Sequence, residues 1–213
     1  MAVHAFGGIV AWSGESGSGK TTTARLMAAR ICAAAASNAH GFSAVHYEVG
    51  PLISNDDRVM SLALKSLYSA TIGRPPEHRF RMSTPDAIAL SLVHGLRSRN
   101  IRMVFIDEAG LLSAAAIRGI VLAIDTAENE EWPLTVVVIG MDELPRALEQ
   151  VPQTERRVRD WCYFKAIDAA EAERLVTTVW PEIQQFLEPG TALRSLVLSM
   201  MRRFGNFPGK IVP

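Results

Sequence analysis

A chain of 213 residues, 48% hydrophobic and 21% charged, is long enough for one well-cored domain with at most a small appendage. Its 22 basic and 22 acidic side chains cancel, which excludes coating of nucleic acid by bulk charge and leaves room for a local basic strip. No apolar run approaches the ~20 residues that span a bilayer, and the N-terminal residues do not read as a signal peptide. Cys32 and Cys162 lie in apolar contexts without metal-ligand spacing. The expectation is a cytoplasmic protein, not a membrane one, with two buried, reduced thiols.

"GGIVAWSG" (7–14) reads as a strand running into a loop. From Thr21, the apolar residues Ala24, Met27, Ala28, Ile31 and Ala35 recur at helical spacing. "AVHYEV" (44–49) is a second strand, ended by Gly50-Pro51, and 56–70 reads as a helix whose start suits Asp56-Asp57. Glycine and prolines make 73–86 a loop; 87–99 is another helix. "RMVFID" (102–107) and "LTVVVIG" (134–140) are nearly all apolar, as strands buried on both faces are, and helices are expected at 113–127 and 142–149. "WCYFKAI" (161–167) is the last predicted strand. Beyond it, three helical pieces are punctuated by Pro181, Pro189-Gly190 and Gly205. Strands alternating with helices predict an α/β fold with a parallel sheet, a core over 1–167 and a small helical subdomain over 168–213.

The run Gly14-Glu15-Ser16-Gly17-Ser18-Gly19-Lys20-Thr21-Thr22 matches the phosphate-binding P-loop. Its glycines allow backbone angles that turn successive N–H groups onto phosphates. Lys20 supplies a charge to the terminal phosphates, Thr21 offers a hydroxyl to Mg2+, and the helix that begins there adds its positive end. A plain glycine turn would need neither the strand before nor the helix after. The cofactors expected are therefore ATP and Mg2+.

"MVFIDEAG" ends an apolar strand in Asp107-Glu108. Beside a P-loop, an aspartate there reaches the Mg2+ shell through water, and the next glutamate can polarise the attacking water. The alternative is a solvated acidic pair at a strand end. A small-molecule kinase takes its nucleophile from the substrate and has no use for Glu108. A helicase needs further motifs downstream, whereas Ser-Ala-Thr stands upstream, at 69–71. The pattern favours ATP hydrolysis.

"SGESGSGKTTTARLMAARI", "MVFIDEAGLLS", "LTVVVIGMDELPRAL" and "ERRVRDWCYF", in that order, resemble the AAA+ ATPases that assist DNA transposition. These are the TniB and TnsC group, with the phage Mu B protein and ExeA-type ATPases as relatives. The resemblance covers roughly 8–166 well and the tail loosely. It implies a P-loop NTPase fold with a five-stranded parallel sheet in order 5-1-4-3-2, flanked by helices, and a helical lid. It also implies a homo-oligomeric ring or filament on double-stranded DNA that recruits a transposase. Finally, it implies an arginine before the fifth strand presented to the neighbouring subunit's nucleotide. Arg156, Arg157 and Arg159 compete for that role; relatives often read Ser-Arg and then an apolar residue, so Arg157, before Val158, fits.

Departures from the family pattern are specific. After the fourth strand, where a Thr, Asn or Ser sensor is usual, Gly140 and Met141 stand; a thioether is a poor partner for water or phosphate, which leaves Asp142 as the substitute. The tail reads "RRFGNFPGKIV" where relatives place Gly-Asn-x-Arg, with Lys210 and Arg203 as candidates for the second sensor. Little sequence precedes the first strand to embrace adenine, so either the chain is trimmed or the lid supplies the base contacts.

Arg74, Arg79 and Arg81, with His78 and Phe80 among them, suit a DNA backbone, or form a solvated loop. Arg97, Arg99 and Arg102 flank the start of the third strand, away from the nucleotide, and read as a solvated or partner-facing surface. The four tryptophans, Trp12, Trp132, Trp161 and Trp180, read as packing residues. Two functions compete: an ATPase that loads on DNA and licenses transposition, and a related signalling or secretion ATPase that acts through protein partners without DNA. A small-molecule kinase is the remoter third.

Overall fold

In a computed structural model, the residues described are 7–37, 41–49, 58–73 and 84–165, together with Glu171 and Arg174. Five strands, β1 (Gly8–Gly14), β2 (Ser43–Glu48), β3 (Ile101–Asp107), β4 (Thr135–Ile139) and β5 (Val158–Phe164), alternate with helices. The helices are α1 (Lys20–Ser37), α2 (Arg58–Ile72), α3 (Pro85–Ser98), α4 (Ala114–Asn129) and α5 (Leu144–Glu149). All strand pairs are parallel, and the sheet order is β2-β3-β4-β1-β5, the expected 5-1-4-3-2 read from the other edge.

Strand parity distributes the core. On one face Trp12, Ala44, Met103, Phe105, Val137 and Ile139 pack against Ala24, Ala28 and Ile31 of α1. The alternate residues Ile9, Ala11, Val104, Ile106, Val136 and Val138 meet Leu64 of α2, Ile88 and Leu92 of α3, and Ile117, Ile120 and Ile124 of α4. Both faces are thus covered, which is why β3 and β4 read as unbroken apolar runs. Burying each Val, Leu, Ile, Met or Phe among them contributes about 1.5–3 kcal/mol. Helix starts follow local chemistry: Thr84 accepts from the Ala87 N–H with Pro85 at the first helical position, and Ser113 accepts from the Ala116 N–H. Each cap is worth ~1 kcal/mol.

The fifth strand departs from expectation. It starts at Val158, not Trp161, because pairing with β1 carries it through the polar Arg159 and Asp160. As the sheet's edge it leaves Arg159 to Tyr163 exposed. Trp161 is therefore 47% exposed and is no packing residue, and the Cys162 thiol is exposed where a buried one was expected. Cys32 is part-buried and free. Trp12 packs against Phe105 and Phe164 as expected. The arginine cluster at the start of β3 stays at the surface, with Arg97 and Arg99 exposed and Arg102 half-buried: Arg97 and Arg102 lie over the Trp132 ring, 5.8 and 4.0 Å from its centroid, and Arg99 donates to the Thr71 carbonyl. Asp56-Asp57, Trp180 and, save Glu171 and Arg174, the expected lid at 168–213 lie outside the described residues. No helix among the described residues is long and apolar enough to cross a membrane.

Candidate nucleotide and metal site

The loop between β1 and α1 is built on three glycines with positive φ, Gly14 (146°), Gly17 (80°) and Gly19 (92°), angles that side chains disfavour. At Gly14 the sheet adds a second demand. It pairs with Phe164 of β5, and a Cβ there would stand 2.2 Å from the Phe164 carbonyl oxygen. Ser16, Gly17, Gly19, Lys20, Thr21 and Thr22 line a cleft of about 300 Å3 together with Asp107, Glu108, Gly140 and Met141. Gly14, Glu15 and Ser18 hold the lysine.

Lys20 opens α1 and is 8% exposed. Its ammonium donates to the Gly14 carbonyl at 2.8 Å, the Glu15 carbonyl at 2.7 Å and Ser18 Oγ at 3.2 Å, which uses all three donors. Burial holds its pKa below the usual 10.5, and the charges of Asp107, Glu108, Asp142 and Glu15 offset part of that shift. Desolvation of the ammonium thus outweighs the attraction of the four carboxylates, and a phosphate placed against it favours the charged form.

Asp107 ends β3 on the same face as Met103 and Phe105, the α1 face, and is 4% exposed. Its Oδ1 accepts the Glu108 N–H at 3.0 Å, and its Oδ2 lies 3.2 Å from Nε2 of His46 on β2. His46 carries no signal in the sequence beyond being a polar residue inside a short strand, and it was not among the expected site residues. Glu108 adopts the left-handed conformation, φ 57°, and leads into a 3-10 turn, Ala109–Leu111, with an exposed side chain. One hydroxyl (Thr21) and one carboxylate (Asp107) on a single cleft are what Mg2+ takes from a protein when phosphates and water complete its shell. Among the described residues no cluster of three or more His, Cys, Asp or Glu offers a cation an all-protein cage. The donor set fits Mg2+ carried with a nucleotide.

Gly140, at the position where the family carries a sensor side chain, is a close approach. Its N–H donates to the Trp12 carbonyl, and a Cβ would meet Leu144 Cβ at 3.0 Å and the Gly110 nitrogen at 3.1 Å. Met141, 44% exposed, lines the cleft instead. Asp142 is exposed, and its charge, the main cause, with a hydrogen bond raises the Tyr163 phenol pKa.

Arg157 is not brought to this cleft. Its carbonyl accepts from Ile9 N–H at the start of β1, at the strands' N-terminal ends, whereas the P-loop follows their C-terminal ends. Its guanidinium pairs with Asp125 at 2.7 Å and with Glu128, both on α4, while Arg156 and Arg159 are exposed. Arg74, Arg79 and Arg81 lie outside the described residues, as do Arg203 and Lys210.

A parallel sheet in this order, with a glycine loop after β1 and an acidic pair after β3, defines a P-loop NTPase of the AAA+ class. The chain belongs to the AAA domain family, whose model matches residues 7–148. No curated protein matches it. Among solved structures, the ORC2 protein of Aeropyrum pernix in ADPNP–ADP complexes is 19% identical with a TM-score of 0.65, over 96% of this chain and 53% of that one. The A. pernix ORC1 protein in complex with DNA is 20% identical (TM-score 0.62, 96% and 52% covered). Drosophila ORC bound to DNA is 12% identical (TM-score 0.62, 98% and 53% covered). At these identities the likeness is one of fold, and this chain spans about half the length of those structures.

Proposed function

We propose that this chain binds ATP with Mg2+ in the Lys20 cleft, hydrolyses it, and does so as a homo-oligomer on double-stranded DNA, where it recruits or activates a transposase. The observation that carries the reading is convergence. Lys20 and Thr21 from the first turn of α1, and Asp107 and Glu108 from the end of β3, line one cleft. The P-loop N–H groups bind and orient the phosphates, and Lys20 joins them by exchanging its loop oxygens for phosphate oxygens. Thr21 and Asp107 hold Mg2+, which when bound neutralises charge on the phosphate oxygens. Glu108, exposed to the cleft, takes the proton of the attacking water. Arg157 serves a neighbouring subunit's site and has no part in its own.

The DNA partner is supported by two of the similar structures, one bound to DNA and one in complex with it. The transposase rests on the four sequence segments that resemble transposition ATPases. The deciding experiment measures Mg2+-dependent ATP hydrolysis with and without double-stranded DNA at rising salt. Stimulation that falls steeply with salt supports the reading. Hydrolysis that DNA does not stimulate even at low salt returns the protein to the partner-driven alternative.

A further inference from the structure

We propose that His46 is a positioning residue that aims the Asp107 carboxylate at the metal; this rests on the nucleotide-and-Mg2+ reading of the cleft. The two side chains are 14% and 5% exposed, and Nε2 stands 3.2 Å from Oδ2. An ionised carboxylate only accepts, so the ring N–H is the donor. His46 sits opposite Phe105 in the β2–β3 register, so it meets Asp107 diagonally from the same sheet face. The other oxygen of Asp107 accepts the Glu108 N–H. With a donor fixed on each oxygen, the carboxylate cannot turn about its Cβ–Cγ bond. Each oxygen keeps a free lone pair, and the residue lines the cleft that Thr21 also lines.

Without the imidazole one anchor remains, and a buried carboxylate held at one point rotates among poses, most of which do not face the metal. Loss of such an outer partner typically costs 10–100-fold in metal affinity or activity. A purely structural histidine would instead lower stability and leave the metal requirement alone. The two roles therefore separate by measurement.

The test titrates Mg2+ into wild type, His46→Phe and His46→Gln with a fluorescent ATP analogue, alongside thermal melting. His46→Phe keeps a ring and loses the donor; His46→Gln keeps an N–H near the place of Nε2. Expected is a Mg2+ midpoint raised about 10-fold in His46→Phe, unchanged analogue affinity without metal, and a midpoint in His46→Gln close to wild type. If His46→Phe does not melt cooperatively, His46→Asn, whose amide is too short to reach Oδ2, replaces it. A donor-less variant within twofold of the wild-type midpoint overturns the proposal, as does an equal shift in His46→Gln. Wild type that shows no Mg2+ dependence at all overturns the nucleotide-and-metal reading beneath it, which is a separate result.

Discussion

The Arg157 guanidinium stands 2.7 Å from the Asp125 carboxylate and also pairs with Glu128, so the arginine before β5 is tied to α4 of its own subunit. Side-chain exposures of 24%, 41% and 63% make this a surface cluster, in which each pair is worth about 0.2–1 kcal/mol. A finger supplied to a neighbour's nucleotide is worth ~10³–10⁵ in rate, or about 4–7 kcal/mol. Transition-state stabilisation of that size outweighs two surface ion pairs, which therefore do not prevent Arg157 from serving the next subunit. Arg157→Ala and Lys20→Ala are each expected to be inactive and to regain activity when mixed, because the first retains a nucleotide pocket and the second a finger. Normal hydrolysis by Arg157→Ala under assembly conditions would move the role to exposed Arg156 or Arg159, or make the protein an active monomer.

Lys20→Ala is expected to lose ATP binding and keep its fold, since the ammonium's partners are loop oxygens beside an open cleft. Binding at wild-type affinity would end the cradle reading.

Lys20 also sets a pH dependence. Its pKa in the free protein is lowered by burial, and bound phosphate favours the ammonium and raises it again. ATP affinity is therefore full below the free-protein pKa and declines as pH rises through it, with a proton taken up on binding in that window. Calorimetry in buffers of different ionisation enthalpy reads the uptake directly. Alkaline binding with proton release would contradict it.

Glu108→Gln is expected to bind ATP and to slow hydrolysis by about 10²–10⁴-fold, the usual worth of a general base. Oligomers formed with ATP should then persist. Turnover within a few-fold of wild type would clear Glu108 of that role. Glu108→Asn separates function from strain, because Glu108 holds φ 57°, a conformation that costs ordinary residues about 1–2 kcal/mol and that asparagine tolerates. Glu108→Asn should be as slow as Glu108→Gln yet melt a few degrees higher; equal melting temperatures would show that the strain is absorbed elsewhere.

Replacing Arg74, Arg79 and Arg81 together by alanine is expected to weaken DNA binding uniformly across sequences and to reduce its salt slope by about one per lost phosphate contact. An unchanged slope assigns those arginines to solvent.

The nucleotide half of the site was legible in the sequence because its chemistry is local. Three glycines, a lysine and a threonine follow one another within a single short run, and Asp107-Glu108 closes an apolar run whose composition already announces a buried parallel strand. Sheet order was reached through resemblance. What only the tertiary structure decided are relations between distant segments. His46 and Asp107 are 61 residues apart, and they meet because β2 lies beside β3 with both side chains on the α1 face. Gly140 is a glycine because the chain after Glu108 and Leu144 crowd its Cα, a requirement no spacing rule contains. Trp161 and Cys162 are exposed because β5, among the described elements, packs chiefly on β1, whereas the other edge strand, β2, lies against α1 and α2; a run of this composition looks the same in either place. Local sequence carries backbone conformation and residue chemistry, whereas neighbours across a sheet are set by the packing of the whole domain.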